Sequence, residues 1–251
     1  MSAVYPNESL IPGLRDLWKK AFGDTDEFLD LFFSTAYAPD RCRCIPRGDA
    51  VQSVLYWFDC FLEGQKIAYI YAVATDPACR GRGLCRQLME DTMEILRDRG
   101  YAAAALLPQE EWLINMYAGM GFTPCTTVTE QLFTAGKSIS ARKIDQGEYA
   151  RLRRQLLPHG GVIQEDENLA FLAGMASFYT GDGFLAAVME NDGELWCPEF
   201  LGDPVSFPGL VKTLGFFEGR ARMPGSERPF AMFRPLTKDA PTPHYFGLVF
   251  D

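Results

Sequence analysis

The chain has 251 residues, 47% hydrophobic and 23% charged, enough for one large globular domain or two small ones. Its 33 acidic and 24 basic residues give a net charge of −9, without the basic surface of a nucleic-acid-binding protein. The seven cysteines lack zinc spacing, the start lacks a secretory signal, and no apolar run approaches the roughly 20 residues that span a bilayer. We expect a cytoplasmic protein with reduced thiols and without metal, nucleic-acid or membrane partners.

The first half of the chain begins with two helical patterns and continues with strands. Gly23 is expected to end the first helix, and Thr25 is expected to cap the second. The order predicted is α-α-β-β-β-α-β-α-β, with helices over 10–22 and 28–33, strands over 41–45, 51–62 and 67–75, a helix over 84–99, a strand over 101–107, a helix over 111–120 and an extended segment over 122–133.

A junction at Ala135-Gly136-Lys137 separates this pattern from a second, looser one. The sequence therefore predicts two domains, 1–135 and 136–251. Asn191-Asp192-Gly193 is typical of a hairpin turn. The elements predicted for the second half are a strand over 139–144, helices over 146–157 and 169–175, the hairpin strands 184–190 and 194–201, a helix over 207–214, and strands over 216–222, 229–234 and 245–250.

A glycine- and arginine-rich loop lies between the third strand and the following helix. It reads Asp76-Pro-Ala-Cys-Arg-Gly-Arg-Gly-Leu-Cys-Arg86. Backbone N–H groups at a helix start lack intrahelical partners, and the helix dipole is positive there. Glycines let the backbone approach a ligand closely, and the three arginines add charge. The loop therefore predicts a pyrophosphate site. Arg86 stands where a dinucleotide fingerprint needs its third glycine, and Gly-Lys-Ser/Thr is absent.

The spacing Arg80-x-x-Gly83-x-Cys85 resembles motif A of the GCN5-related N-acetyltransferases, the GNAT family, whose pattern is Gln/Arg-x-x-Gly-x-Gly/Ala. Cys85 departs from that pattern but is small. The helix over 111–120 with its Gly121-Phe122 ending resembles motif B, and Tyr117 falls on the tyrosine that the family often uses as general acid. Two motif B positions depart from the family, namely Glu110 and Leu113. The resemblance covers roughly residues 5–134.

This resemblance implies a mixed α/β GNAT fold that binds acetyl-CoA where two parallel strands splay apart. It implies that backbone N–H groups in 71–74 polarise the thioester carbonyl and that Tyr117 protonates the departing thiolate. The acceptor implied is a small-molecule or peptide amine that attacks directly. The cofactor-binding residues implied are Val73 and Thr75 for the pantetheine arm, and Arg80, Gly81, Arg82, Gly83, Leu84 and Cys85 for the pyrophosphate.

The second half resembles a degenerate GNAT-like repeat, as in bacterial tandem-GNAT proteins. It lacks a Gly-Arg cradle, so we expect it to wall the acceptor site without binding CoA. The apolar ending 245–250 predicts a buried strand, and resemblance to the Eis-type tandem acetyltransferases implies that Asp251 is the catalytic base. Asp59, Glu63 or a water molecule are alternatives for the base. Glu199 either lines a pocket or faces water, and His244 either orients the acceptor or is solvated.

Two other functions remain open at this point. The missing base and the motif B departures are compatible with a non-catalytic acyl-CoA-binding or regulatory module. An aminoacyl-tRNA-dependent transferase also uses tandem GNAT-like halves, although the net charge of −9 disfavours it. Cys85 and Cys125 leave a two-step route through an acyl-enzyme formally open.

Overall fold

The computed structural model describes residues 2–250, which divide into two compact units. The first unit comprises Met1–Thr123 and Met232–Pro241, and the second comprises Pro124–Ala231 and Thr242–Asp251. Each unit is therefore built from two separate stretches of chain. The sequence predicts two domains, 1–135 and 136–251, and this division stays a prediction.

The first unit follows the predicted element order through the end of the motif B helix. Thr25 caps the second helix as expected, because its hydroxyl accepts a hydrogen bond from the Phe28 amide at 3.3 Å. The elements are α1 (Ile11–Phe22), α2 (Asp26–Thr35), β1 (Cys42–Arg47), β2 (Ala50–Leu62), β3 (Gln65–Thr75), α3 (Leu84–Asp98), β4 (Ala103–Leu106), α4 (Glu111–Ala118) and β5 (Thr123–Pro124).

The second unit contains a further series of strands and three helices. Its elements are β6 (Thr127–Thr134), β7 (Ala141–Ile144), α5 (Gln146–Leu156), β8 (Ile163–Gln164), α6 (Glu167–Ala173), β9 (Ser177–Gly181), β10 (Phe184–Asn191), β11 (Glu194–Gly202), α7 (Phe207–Thr213), β12 (Glu218–Pro224) and β13 (Arg228–Pro229). Its sheet has the order β13-β6-β12-β11-β10-β9-β7. The predicted hairpin forms between β10 and β11, with Asp192 and Gly193 at positive φ as a two-residue turn requires.

A late segment of the chain, β14 (Met232–Pro235), belongs to the sheet of the first unit, whose order is β1-β2-β3-β4-β14-β5. It pairs antiparallel with β4, from Met232 opposite Leu106 to Pro235 opposite Ala103. The prediction of a single strand over 229–234 is therefore wrong. The chain leaves the ladder between β13 and β14 because the Phe230 and Ala231 amides donate to Thr126 instead.

Alternation along β2 places apolar side chains on both faces of the first sheet. Tyr56 packs against Trp18 of α1 and Phe32 of α2, with ring centroids 5.2 and 5.1 Å apart. The neighbouring residues Leu55 and Trp57 belong to the core on the other face, together with Leu88, Met89, Met93 and Leu96 of α3. The sheet is thus covered on both faces, as a mixed α/β unit requires.

The two units share one order of elements around a parallel strand pair. In the first, the hairpin β2–β3 leads through a 3₁₀ turn into α3 and then β4, which is parallel to β3. In the second, the hairpin β10–β11 leads through a 3₁₀ turn into α7 and then β12, which is parallel to β11. The helix has 15 residues in the first unit and seven in the second. That the second unit is a degenerate copy stays a prediction.

The predicted strand over 245–250 is wrong, since these buried residues form no ladder beyond one bridge between Gly161 and Tyr245. The side-chain amide of Gln164 makes the hydrogen bonds to this segment that a partner strand would make. Gln164 Nε2 donates to the Leu248 carbonyl at 2.6 Å, and Gln164 Oε1 accepts from the Leu248 amide at 3.0 Å. Burial of the apolar side chains was therefore predictable, whereas strand geometry was not.

None of the helices within residues 2–250 combines the length and the apolar character of a membrane span. The 15-residue α3 is about 22 Å long, against a hydrocarbon core of about 30 Å.

Candidate active site

Strands β3 and β4 separate towards their carboxyl ends. Their parallel register runs from Ile67 opposite Ala103 to Tyr69 opposite Ala105. Beyond that point β3 continues to Thr75, whereas β4 ends one residue later at Leu106. The last residues of β3 therefore present an edge that β4 does not pair.

A β-bulge interrupts the unpaired part of β3. Tyr56 of β2 stands opposite Tyr71, and Val54 stands opposite Ala74, so that one β2 residue faces two residues of β3. The extra residue is Ala72, whose φ of +46° lies in the left-handed region that residues with a Cβ rarely adopt. Such a bulge shifts the alternation of the strand by one residue.

The bulge decides which backbone groups face the open edge. Before it, the Lys66 carbonyl accepts from the Ala102 amide at 2.8 Å, so even-numbered residues point towards β4. After it, the Asp76 amide donates to a β2 carbonyl at 2.9 Å, so even-numbered residues point towards β2. Val73 and Thr75 consequently direct their backbone groups to the open edge, the two residues that the sequence predicts for the pantetheine arm.

The glycine-rich loop follows directly and folds as a compact turn. The Asp76 carboxylate accepts from the Ala78 amide at 2.9 Å, which starts the turn after β3. Gly81 and Gly83 have φ of +75° and +77°, and a Cβ at either position would meet nothing within 4 Å. These positions therefore require glycine for their left-handed backbone, while the space beside them is open.

Helix α3 begins immediately after Gly83, at Leu84. The Gln87 amide makes the first intrahelical bond, to the Gly83 carbonyl at 3.0 Å. The amides of Leu84, Cys85 and Arg86 precede it, so they have no carbonyl four residues back within the helix. Together with the positive end of the helix dipole, they are donors suited to a phosphate group.

Three arginines surround this helix start. Arg80 Nε donates to the Thr75 carbonyl at 3.2 Å, and Arg82 Nη2 donates to the Ala78 carbonyl at 3.1 Å. Both side chains are held on the loop and exposed to solvent. Arg86 Nη1 donates to the Gly119 carbonyl at 2.7 Å. The loop thus combines backbone donors with fixed positive charge, although the chain as a whole is acidic.

Tyr117 lies in the last turn of α4, in the core against which the end of β3 and the start of α3 pack. Its side chain is buried, 6% exposed, and Val73, Leu84 and Cys85 pack against that core. Burial raises the pKa of Tyr117 well above its usual value, and the Cys85 thiol raises that pKa further. The phenol therefore stays protonated at neutral pH and can donate a proton.

Residues 5–125 match a family model described as an acetyltransferase (GNAT) domain. These residues form a GNAT domain. The match covers the β3 edge, the glycine-rich loop and Tyr117, so the family relation rests on the segment that carries the site.

Solved structures share the fold over 93–96% of this chain at low sequence identity. A GCN5-related N-acetyltransferase from Anabaena variabilis has a TM-score of 0.74 and 13% identity, over 94% of this chain and 73% of that one. One from Kribbella flavida has a TM-score of 0.71 and 16% identity, over 93% and 70%. Eis1 from Mycobacterium abscessus has a TM-score of 0.67 and 12% identity, over 96% and 75%. No curated protein matches the sequence.

The GNAT domain contains the two carboxylates that the sequence offers as alternatives for the base, Asp59 and Glu63. Asp59 is engaged by its neighbours, since Tyr101 donates to it at 2.5 Å and Lys66 lies 2.8 Å away. Glu63 is exposed and occupies the turn between β2 and β3, at φ of +50°. Asp59 is thus part of an ion-pair network. Glu63 lies at the end of β3 that is farther from the glycine-rich loop.

Glu199 neither lines a pocket nor faces water, so both expectations for this residue are wrong. It is fully buried in the second unit, where Arg153 and the hydroxyls of Tyr149 and Tyr245 hold both carboxylate oxygens. His244 is exposed, with its ring 6.2 Å from that of His159. Asp251, the predicted base, lies outside the described residues and stays a prediction.

The two partly buried cysteines that kept a two-step route open have weakly acidic thiols. Burial raises the pKa of Cys85 above its ordinary 9.0, and burial raises that of Cys125 to about 12. Because the thiolate is the nucleophilic form, both side chains are poor nucleophiles at neutral pH. Across residues 2–250, no three His, Cys, Asp or Glu side chains cluster as metal ligands would.

Sequence reasoning missed two features of this site. The bulge at Ala72 has no local signal, since alanine does not mark a position of positive φ. Arg234 was assigned to a strand of the second domain, but it binds the end of α4 and Glu90 in the first unit. Only the tertiary pairing of β14 with β4 brings Arg234 there.

Proposed function

We propose that this chain is a cytoplasmic, acetyl-CoA-dependent N-acetyltransferase that transfers the acetyl group to a primary amine by direct attack. The observation that carries the proposal is the convergence of three features in one unit. These are the open edge at Val73 and Thr75, the donor-rich start of α3 and the buried phenol of Tyr117. No one of them would suffice alone.

The residues of the loop fit the chemistry of coenzyme A. Its pyrophosphate needs several donors and positive charge, which the Leu84 and Cys85 amides and Arg80 and Arg82 supply. Its pantetheine arm carries amide groups, and the outward backbone groups of Val73 and Thr75 can pair with these as a neighbouring strand would. Bound acetyl-CoA supplies an activated thioester as acyl donor.

Two groups of the chain then act on the reacting atoms. A backbone N–H of segment 71–74 donates to the carbonyl oxygen, where negative charge develops during attack. Tyr117 donates its proton to the departing sulfur, for which its protonated state at neutral pH is the required one. Because neither cysteine of the route through an acyl-enzyme is acidic, the amine attacks the thioester carbon directly.

The acceptor is a small-molecule or peptide amine, and it must lose a proton as the bond to carbon forms. By resemblance to the Eis-type tandem acetyltransferases, we assign this proton to Asp251. That residues 136–251 wall the acceptor site without binding CoA is part of the same proposal. So is the absence of a metal, of nucleic acid and of a membrane among the partners.

A binding measurement paired with a turnover assay tests the proposal. CoA is titrated calorimetrically into the protein, and thiol release from acetyl-CoA is followed with a panel of primary amines. We expect binding together with amine-dependent release and an acetylated product identified by mass spectrometry. Binding without release on any amine would instead support an acyl-CoA-binding module. Salt-sensitive tRNA binding would support an aminoacyl-tRNA-dependent transferase.

A further inference from the structure

The C-terminal end of α4 is held by two arginines that come from different parts of the chain. Arg86 of α3 donates to the Gly119 carbonyl at 2.7 Å, and Arg234 of β14 donates to the Met120 carbonyl at 2.8 Å. Carbonyls at a helix end lack intrahelical donors, so cationic side chains stabilise them. Tyr117 lies in the turn that these two contacts hold.

Arg234 is itself fixed by an ion pair to α3. Its Nη1 and Nη2 atoms donate to Glu90 Oε1 and Oε2 at 3.1 and 2.8 Å. Such a two-point contact restrains the orientation of the guanidinium group as well as its position. The pairing of β14 with β4 restrains the backbone of Arg234 in addition. Arg234 therefore links α3 and the end of α4 through its side chain, and β4 through its backbone.

The backbone after Tyr117 forms a turn that packs against Arg234. The Tyr117 carbonyl accepts from the amides of Met120 at 2.9 Å and Phe122 at 3.1 Å, which closes the turn. Gly121 has φ of +84°, and a Cβ there would lie 3.5 Å from Arg234 Nε. The main chain thus turns directly beneath the guanidinium group. An eight-residue helix such as α4 is marginal alone and depends on tertiary contacts of this kind.

We propose that Arg234 and Glu90 are positioning residues that fix the Tyr117 hydroxyl for proton donation to the leaving sulfur. This inference rests on the proposed function, since it assigns a role in that same reaction. Neither side chain belongs to the groups that hold CoA. Proton transfer depends steeply on the distance and angle between donor and acceptor. Removing the ion pair should therefore lower kcat while CoA affinity is retained.

A double-mutant cycle separates positioning from general destabilisation. The variants are Arg234→Gln, Tyr117→Phe and the double variant, with kcat from thiol release and the CoA Kd from calorimetry. We expect Arg234→Gln to lower kcat about 10-fold with Tyr117 present, because misplaced groups lose rate steeply. In the Tyr117→Phe background we expect a change of less than about twofold, since residues acting through one group are not additive. The CoA Kd should stay within about twofold in every variant.

Two further variants complete the cycle. Arg97→Gln is the matched control, because Arg97 of α3 donates to the Leu236 carbonyl at 3.2 Å and so contacts the same late segment without touching α4. It should leave kcat within about twofold. Glu90→Gln should reproduce the loss seen for Arg234→Gln, and it replaces that variant if Arg234→Gln does not fold. Arg234→Lys keeps the charge but not the two-point contact, so it should rescue kcat only in part.

An equal loss of kcat in the wild-type and Tyr117→Phe backgrounds would overturn the inference, as would an unchanged kcat for both Arg234→Gln and Glu90→Gln. Amide hydrogen exchange gives a readout independent of turnover. Exchange over residues 111–122 should become at least about fivefold faster in Arg234→Gln, with residues 65–75 unchanged. If the wild type does not transfer acetyl groups, the proposed function fails. Unchanged exchange at 111–122 contradicts the clamp itself.

Discussion

Arg153 and Glu199 form a two-point ion pair inside the second unit, with Arg153 Nε 2.7 Å from Glu199 Oε2 and Arg153 Nη2 2.9 Å from Glu199 Oε1. Arg153 and Glu199 are 1% and 0% exposed. The hydroxyls of Tyr149 and Tyr245 donate to the same carboxylate, at 2.8 and 3.2 Å. The pair therefore ties α5, β11 and the segment after Thr242 together through groups that water cannot reach.

Glu199→Gln should destabilise the second unit strongly. The substitution leaves the Arg153 charge buried without a counter-charge, which typically costs about 3–5 kcal/mol. The measurement is urea unfolding followed by fluorescence. The control is Glu148→Gln, which removes the partly buried partner of the exposed Arg142 and should move the transition much less. Equal midpoints for the two variants would contradict the account of this pair.

Gly83→Ala should weaken CoA binding much more than Gly23→Ala. Both glycines are left-handed, at φ of +77° and +78°, and neither has an atom within 4 Å of an added Cβ, so the backbone strain is matched. Only Gly83 lies directly before the backbone amides at the start of α3. Calorimetric titration with CoA should give a Kd at least about 10-fold higher for Gly83→Ala, which is about 1.4 kcal/mol. The same rise in both variants would show that the loop is not the CoA site.

The Glu90–Arg234 pair should make stability depend on pH in one direction. The hydrogen bond from Arg234 holds the pKa of Glu90 below its ordinary 4.5. A carboxylate with a lowered folded-state pKa stabilises the fold above its unfolded pKa and loses that contribution as the pH falls through the lowered value. The Tm difference between wild type and Glu90→Gln should therefore be larger at pH 7 than at pH 3.5. A difference that grows on acidification would contradict this assignment.

Alkylation of Cys85 should rise steeply with pH and reach no plateau below pH 9. Burial raises the pKa of Cys85, so the thiolate fraction increases about 10-fold per pH unit throughout this range. The experiment is timed labelling with iodoacetamide, read site by site by mass spectrometry between pH 7 and 10. A plateau below pH 8 would reveal an activated thiolate and would reopen a route through an acyl-enzyme.

Local interactions made part of the fold and part of the site predictable from the sequence. The open glycine-rich turn at Gly81 and Gly83 and the capping hydroxyl of Thr25 follow from residue type and spacing alone. The position of Tyr117 at the end of an amphipathic helix was also predictable. These features depend on interactions within a few residues along the chain, which is the range over which sequence patterns are informative.

The remaining features depend on which strand pairs with which. The bulge at Ala72 arises from the register between β2 and β3, and an alanine carries no sign of it. Phe230 to Phe233 is an apolar run that satisfies burial equally well in either unit, so its division between the two units could not be predicted. Arg234 reads as an ordinary strand residue until β14 pairs with β4. Glu199 likewise reveals its partner Arg153 only in the fold.

The most direct test of the central claim compares wild type with Tyr117→Phe in the thiol-release assay, using an amine on which the wild type is active. The substitution removes the acidic proton and keeps the ring that packs 6.0 Å from Phe122. We predict that kcat falls about 10²–10⁴-fold. The calorimetric Kd for CoA should stay within about twofold, because the phenol is not part of the phosphate loop. Full activity of Tyr117→Phe, or CoA binding by the wild type without transfer to any amine, would contradict the account.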